Sequence, residues 1–311
     1  MSFFAGAFVY LAILIFIVAG GKRILDYQTM PRHFRWDLYP VPHQGPQGSK
    51  YQKVDFYQAP RESHIEEELV DMGQEMFFIK KAFVHNPRLW KASFPFHAGL
   101  YLLGGWLALL VIGALLDLAG IEVWRAGTLP AMAVRYLTLW VGAAGLVLGT
   151  YGTLALLYLR YTDEGLKAMS TFITYLVLYV MLFLFVSGLL AWLIADPTFS
   201  QIRAHVLSLL TFHPTASPHP LIALEAFAFG VFLIMLPFTR MMHFAAKYFF
   251  YHNIMWDDES MKAGSKMSQD ITGYLSYKID WSAPHLKKDG SWVDQVAKDE
   301  PDKGKEVKPN A

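Results

Sequence analysis

Five runs of this chain are too apolar and too long to belong to a water-soluble domain. They cover about residues 3–20, 94–119, 131–159, 170–195 and 221–244. About 20 apolar residues in a helix cross the hydrocarbon core of a bilayer. Inside that core only a helix or a closed barrel satisfies the backbone polar groups. The expected fold is an all-α membrane protein, a bundle of five transmembrane helices. Charge is concentrated before residue 92 and after residue 246, where a soluble domain would intersperse it.

Composition removes several function classes. Hydrophobic residues make up 54% of the chain and charged residues 17%. A net charge of +1, with no basic cluster interleaved with aromatics, argues against a nucleic-acid partner. There is no cysteine. That excludes disulfides, a thiolate-held iron–sulfur cluster, c-type haem attachment and a cysteine nucleophile within the chain. No phosphate loop, dinucleotide fingerprint or Ser-His-Asp order stands out.

The charge pattern also orients the bundle. Nothing basic precedes the first run and Lys22-Arg23 follow it, the reverse of a cleaved signal peptide. Residues 1–27 therefore read as an uncleaved first transmembrane helix. Residues 28–92 read as a cytoplasmic insertion, 93–248 as a four-helix membrane domain and 249–311 as a cytoplasmic tail. Eleven Lys and Arg fall in 21–92 and ten in 247–311, whereas the loops 120–130 and 196–220 hold only Arg125 and Arg203. Basic residues collect on the cytoplasmic side, which puts the N-terminus outside and the C-terminus in the cytoplasm of a multi-pass protein of the cytoplasmic membrane.

Within the insertion, Arg35 to Gly48 is too rich in Pro and Gly for regular helix. Pro60 to Lys81 reads as helix, with Glu66, Glu67 and Glu68 early and Lys80 and Lys81 late. Tyr39, Tyr51, Phe56, Tyr57, Phe77, Phe78 and Trp90 give the insertion an aromatic surface suited either to packing on itself or to docking a partner. In the third span, Gly142, Gly145, Gly149 and Gly152 share one helix face, the pattern of close helix–helix contact. The tail reads as an extended segment whose last twenty residues are disordered in isolation.

Two histidines fall inside spans. His97 opens the second and His243 lies in the last turns of the fifth, where Leu236-Pro-Phe-Thr-Arg-Met-Met-His243 ends the run. Antiparallel helices would bring these imidazoles to one depth. Arg240 and His243, three residues apart, would share a helix face. Facing imidazoles between helices can supply both axial ligands of a b-type haem. The bland alternative is a pair of interfacial histidines hydrogen-bonded to backbone. Gly99, Gly104 and Gly105 would leave room beside His97, and Arg240 would pair with a propionate or snorkel to the interface. His33, His43, His64, His85, His252 and His285 fall in polar segments. His205, His213 and His219 fall in an outer loop.

The ending at 236–243, the Phe96-His97-Ala98-Gly99 opening of the second span and Leu210-Thr-Phe-His-Pro-Thr-Ala-Ser217 resemble the membrane-embedded gamma subunit of respiratory nitrate reductase, a five-helix cytochrome b. Arg160 and the Leu166–Thr171 turn fit the same likeness, which covers most of 93–248. The long insertion and the Trp281-Ser-Ala-Pro-His285 stretch look more like relatives that work beside heterodisulfide-reductase-like iron–sulfur subunits. The resemblance implies a haem b held by His97 and His243 and electron exchange between menaquinone and a cytoplasmic iron–sulfur partner. It also implies a second haem, but the corresponding positions here are Leu107 and Glu225, so one haem is expected. With a single inner haem, the quinone would react in the cytoplasmic half, touched by Arg240, Arg160 or Lys167. Glu225 reads as a carboxylate in the first turn of its helix, where the macrodipole favours it. A haem-free membrane anchor and a small transporter are the competing readings.

Overall fold

The computed structural model describes residues 2–30, 65–214, 219–254, 263–284 and 286–297. Most of the insertion, the histidines at 33, 43, 64 and 285, and the end of the tail from residue 298 lie outside them. The chain forms two compact units, one of residues 1–26 with 69–246 and one of residues 27–68 with 247–311.

The first unit is a helical bundle. Five helices are long and apolar enough to cross a membrane, over Gly6–Gln28, Pro87–Leu118, Leu129–Thr162, Phe172–Ala195 and Pro220–Phe238. They belong to α1 (Ser2–Gln28), α4 (Pro87–Leu118), α5 (Leu129–Thr162), α7 (Phe172–Leu190, continued by a π-helical turn Ala191–Ala195) and α9 (Pro220–Met235). The protein is a multi-pass membrane protein, as the apolar runs require. Exposed Tyr136 and Trp140 near one end of α5, and Tyr158 and Tyr161 near the other, form two aromatic girdles.

Local sequence sets the helix starts. Asn86 accepts from Leu89 N (3.0 Å) with Pro87 in the first turn of α4. Thr128 with Pro130 does the same for α5, and His219 Nδ1 with Pro220 for α9. Asp163 ends α5 and caps the short α6 (Glu164–Ala168) through Leu166 N (3.0 Å).

The glycine face of α5 holds the bundle together. A Cβ on Gly99 of α4 would strike the backbone of Gly149, and a Cβ on Gly149 would strike the ring of Phe185 from α7. Gly152 lies against the backbone of Phe96 and Gly142 against the ring of Trp106. With no hydrophobic force between helices in lipid, such close contact supplies the dispersion energy that joins them. Around it Phe96, Leu156, Leu157, Leu178, Met181 and Phe185 form one buried cluster. Trp106, Leu110, Leu146, Phe199, Ile202 and Ile222 form another toward the opposite end.

Several boundaries differ from those expected. The 60–81 helix is α2 (Ile65–Phe78) followed, after Ile79 in the left-handed region (φ 52°), by α3 (Lys80–His85). From residue 69 onward this segment belongs to the membrane unit rather than to a separate insertion. It is held to α4 by Trp90 Nε1 donating to Phe78 O (2.8 Å), by Phe78 stacked on Phe94 at 6.4 Å and by Phe83 edge-on to Trp90 at 5.0 Å. The 196–220 loop contains α8 (Ser200–Leu210). Asp196 starts that helix by accepting from the amides of Ser200, Gln201 and Ile202. Arg203 of α8 is buried and pairs with Asp117 of α4 (2.9 Å), which also accepts from Val123 N. The fifth span does not continue as α-helix to 244. It closes in two 3-10 turns, Leu236–Phe238 and Arg240–Met242, before α10 (His243–Ile254) begins. Pro237 offers no N–H and Thr239 is extended (φ −122°, ψ 174°), so the helical ladder breaks there.

The second unit contains α11 (Lys266–Leu275) and α12 (Trp292–Ala297), with isolated bridges between Lys278 and Ser291 and between Ala283 and Leu286. The tail is therefore partly folded, not extended throughout. Ser291 and Asp294 cap α12 reciprocally, each accepting from the other's amide.

The glycine contact is directly testable. Gly149→Val is expected to cost about 1–3 kcal/mol or more by overpacking against Phe185, read as a lower melting temperature in detergent. Gly105→Ala, whose Cβ would make an ordinary 3.9 Å contact with Val141, is expected to leave melting nearly unchanged.

Candidate functional site

The bundle brings His97 and His243 together. Their ring centroids lie 6.0 Å apart with the planes at 86°. His97 sits in the third turn of α4, and His243 is the first residue of α10, just after the break at Pro237. The break matters to the site. Arg240 and His243 do not share an α-helical face as expected, because a 3-10 turn separates them. That turn instead directs the Arg240 carbonyl at the ring, and His243 Nδ1–H donates to it at 2.9 Å. His97 Nδ1–H donates to Ser93 O at 2.7 Å, with Ser93 Oγ at 3.3 Å.

A carbonyl only accepts, so in both rings Nδ1 carries a proton, and in the neutral imidazole the lone pair is then on Nε2. Metal-binding histidines are held in this way, the second nitrogen tied to a backbone carbonyl. Two metal–imidazole bonds of about 2 Å each, plus the reach from nitrogen to ring centre, separate the centroids of a bis-imidazole site by about 6 Å. The observed spacing fits.

The surroundings of His97 are aromatic. Phe96 meets it edge-on at 5.2 Å and in turn packs on Phe185 at 6.1 Å. Tyr101, one turn along, lies 6.3 Å from the imidazole, and its hydroxyl donates to Met76 O of α2 (2.6 Å). Phe77 packs on the same tyrosine at 5.7 Å. The α2 segment thus lies beside the histidine face of α4.

The other expected site residues divide. Gly104 lies two turns beyond His97 on the same face, and a Cβ there would meet nothing within 4 Å. Gly99 does not leave room beside the ring, since the backbone of α5 fills the space it opens. Arg240 is exposed, and its charge acts on Arg160. Arg160 donates through Nη1 to Ser170 Oγ (2.8 Å), but its buried Nε–H finds no acceptor among the described residues. The unmet Arg160 Nε–H is a donor that an anion such as a carboxylate would satisfy. Lys167 is exposed on α6 and makes no side-chain hydrogen bond or ion pair among the described residues.

Three further polar groups are buried, of which the sequence reading named His205 only as a loop residue and Glu225 only as a first-turn carboxylate. Both ring nitrogens of His205 and the Trp106 Nε1–H lack a hydrogen-bond partner among the described residues. Glu225 is buried and turned into the bundle. The signal for α8 was present in Asp196 before Ser200 and in the spacing of Ile202, Val206 and Leu209. Reading 196–220 as loop hid it. No ring contact joins His205 to His213 among the described residues. Protein-family models, curated proteins and solved structures yield no match to this chain.

Burial pushes the His205 imidazole below its ordinary range. The unfolded chain takes up this proton near pH 6.5, the folded chain only at lower pH. The unfolded state thus binds more protons in that window, and stability falls as pH drops below about 6.5. His205→Leu is expected to flatten this acid-side fall, measured by melting between about pH 5 and 8.

Proposed function

We propose that this chain is the haem b membrane subunit of a respiratory oxidoreductase complex, passing electrons between menaquinone and a cytoplasmic iron–sulfur partner. The observation that supports this most directly is the His97–His243 pair, 6.0 Å apart, with each Nδ1–H tied to a carbonyl. His97 and His243 would hold the group as axial ligands. Arg160 and Arg240 would meet its propionate carboxylates, answering the unmet Arg160 Nε–H. Bound haem b supplies one-electron redox chemistry between two states of its iron.

The chain's own contribution is orientation and exclusion of water. The Ser93 and Arg240 carbonyls fix both rings in the ligating tautomer, and Phe96 with Phe185 packs behind His97. Gly104 keeps the same face of α4 open. The distribution of Lys and Arg supports an orientation with this end of the bundle on the cytoplasmic side. Quinone would then react on that side, within reach of the two arginines. Because the chain has no cysteine, the iron–sulfur cluster belongs to another subunit, of heterodisulfide-reductase-like type.

Purified protein reduced with dithionite is expected to show a b-type spectrum with about one haem per chain. His97→Ala and His243→Ala should each abolish it while the protein still inserts in membranes. A wild-type protein with no such spectrum would be a haem-free anchor and would end this reading.

A further inference from the structure

Glu225 occupies a position where a membrane bundle tolerates an acid least. It is the sixth residue of α9, beyond the free amides of the first turn, and it is 7% exposed. His219 takes up the early amides of Leu221, Ile222 and Ala223. The carboxyl therefore gains little from the helix end and is turned toward α7. There Gly188 leaves a gap. A Cβ on that residue would lie 3.1 Å from Glu225 Oε1 and 2.7 Å from Leu146 Cδ2 of α5. The niche is built of an omitted side chain on one helix and a leucine on another.

Nothing among the described residues donates a hydrogen bond to this carboxyl, and no cation pairs with it. Of the elements around it, α7 presents Gly188 and α5 presents Leu146, neither of them titratable. The charged group that acts on it is another acid, Asp196, in the turn between α7 and α8. Asp196 accepts from Ser200 N (2.9 Å), Ser200 Oγ (3.2 Å), Gln201 N (2.7 Å) and Ile202 N (2.9 Å). Asp196 thus has four donors, whereas Glu225 has none among the described residues. A buried carboxylate with neither donor nor counter-ion is costly, and a proton removes that cost. Of the two nearby acids, only Glu225 lacks donors, so it is the one that a proton would relieve.

We propose that Glu225 is a proton-binding site inside the membrane, holding a proton that it exchanges with the aqueous phase at the Asp196 end of the bundle. On release the O–H bond breaks, the electron pair stays on the carboxylate, and the proton passes to water. Uptake is the reverse, and no other reactant is needed. The site lies on the Asp196 side of the histidine pair, at the level of Leu146 on α5, whose Gly152 meets Phe96 beside His97, and gives the protein a place to take up or lose charge within the bilayer.

The test uses the full-length protein in lipid and needs neither haem nor an electron donor. Infrared spectroscopy is expected to show a protonated-carboxyl carbonyl band that shifts down in D2O and is missing from Glu225→Gln. The band should bleach reversibly as pH is raised. Dicyclohexylcarbodiimide, which attacks protonated carboxyls in apolar surroundings, should modify the peptide carrying Glu225, and Glu225→Gln should reduce the label there to background. Glu225→Gln should fold and melt like the wild type, since a neutral amide replaces a neutral acid. If Glu225→Gln leaves the carbonyl region unchanged, the proposal is overturned whatever the carbodiimide does. A band that persists unchanged to strongly alkaline pH overturns it too, because that proton would be structural and not exchanged.

Discussion

The near-contact of backbones along the glycine face of α5 is the interaction on which the rest of the bundle depends. Lipid offers a helix as good an apolar environment as another helix does, so association needs something more than hydrophobicity. Here the absence of side chains supplies it. Gly99 and Gly149 let α4 and α5 approach until backbone meets backbone, and Gly149 also admits the Phe185 ring from α7. The approach of α4 carries His97 and its Phe96 neighbour to a fixed depth. That of α7 positions Gly188 against the carboxyl of α9. Both candidate sites inherit their geometry from this seam.

The second constraint is the interruption at Pro237. A continuous fifth helix would have placed His243 one turn after Arg240 on a common face. The break instead produces a 3-10 turn whose carbonyl holds the imidazole. It also exposes the carbonyl of Pro237, which accepts from Arg23 Nε of α1 (3.3 Å). A departure from regular helix inside a membrane leaves backbone groups that must be met. Here a side chain on α1 and an imidazole on α10 meet them, so the break ties the end of the first helix to the histidine pair. At the other end of the bundle Asp117 and Arg203 do comparable work, joining α4 to α8 through a largely buried ion pair. Such a pair holds its partners in one arrangement more than it adds stability.

The two candidate sites thus differ in kind. At one, the His97–His243 pair lies beside Arg240, whose charge acts on Arg160 and its unmet guanidinium N–H. At the other, an acid sits without donors in an apolar niche. An anionic redox group would satisfy the first, and a proton satisfies the second.

The sequence by itself determined the five spans and picked out His97 and His243. Crossing a bilayer depends on length and composition, and those are written in the chain directly. It also contained the glycine face, whose periodicity is local to one helix. It did not reveal that Gly99 serves packing and not a cofactor, that α8 caps the bundle, or that Glu225 turns inward from its helix. Those outcomes depend on which neighbour stands opposite each residue: Gly149 opposite Gly99, Asp117 opposite Arg203, Gly188 opposite Glu225. Helical periodicity tells which residues share a face. Only the packed tertiary structure decides what that face meets, and so which polar groups are paired and which are left needing a ligand or a proton.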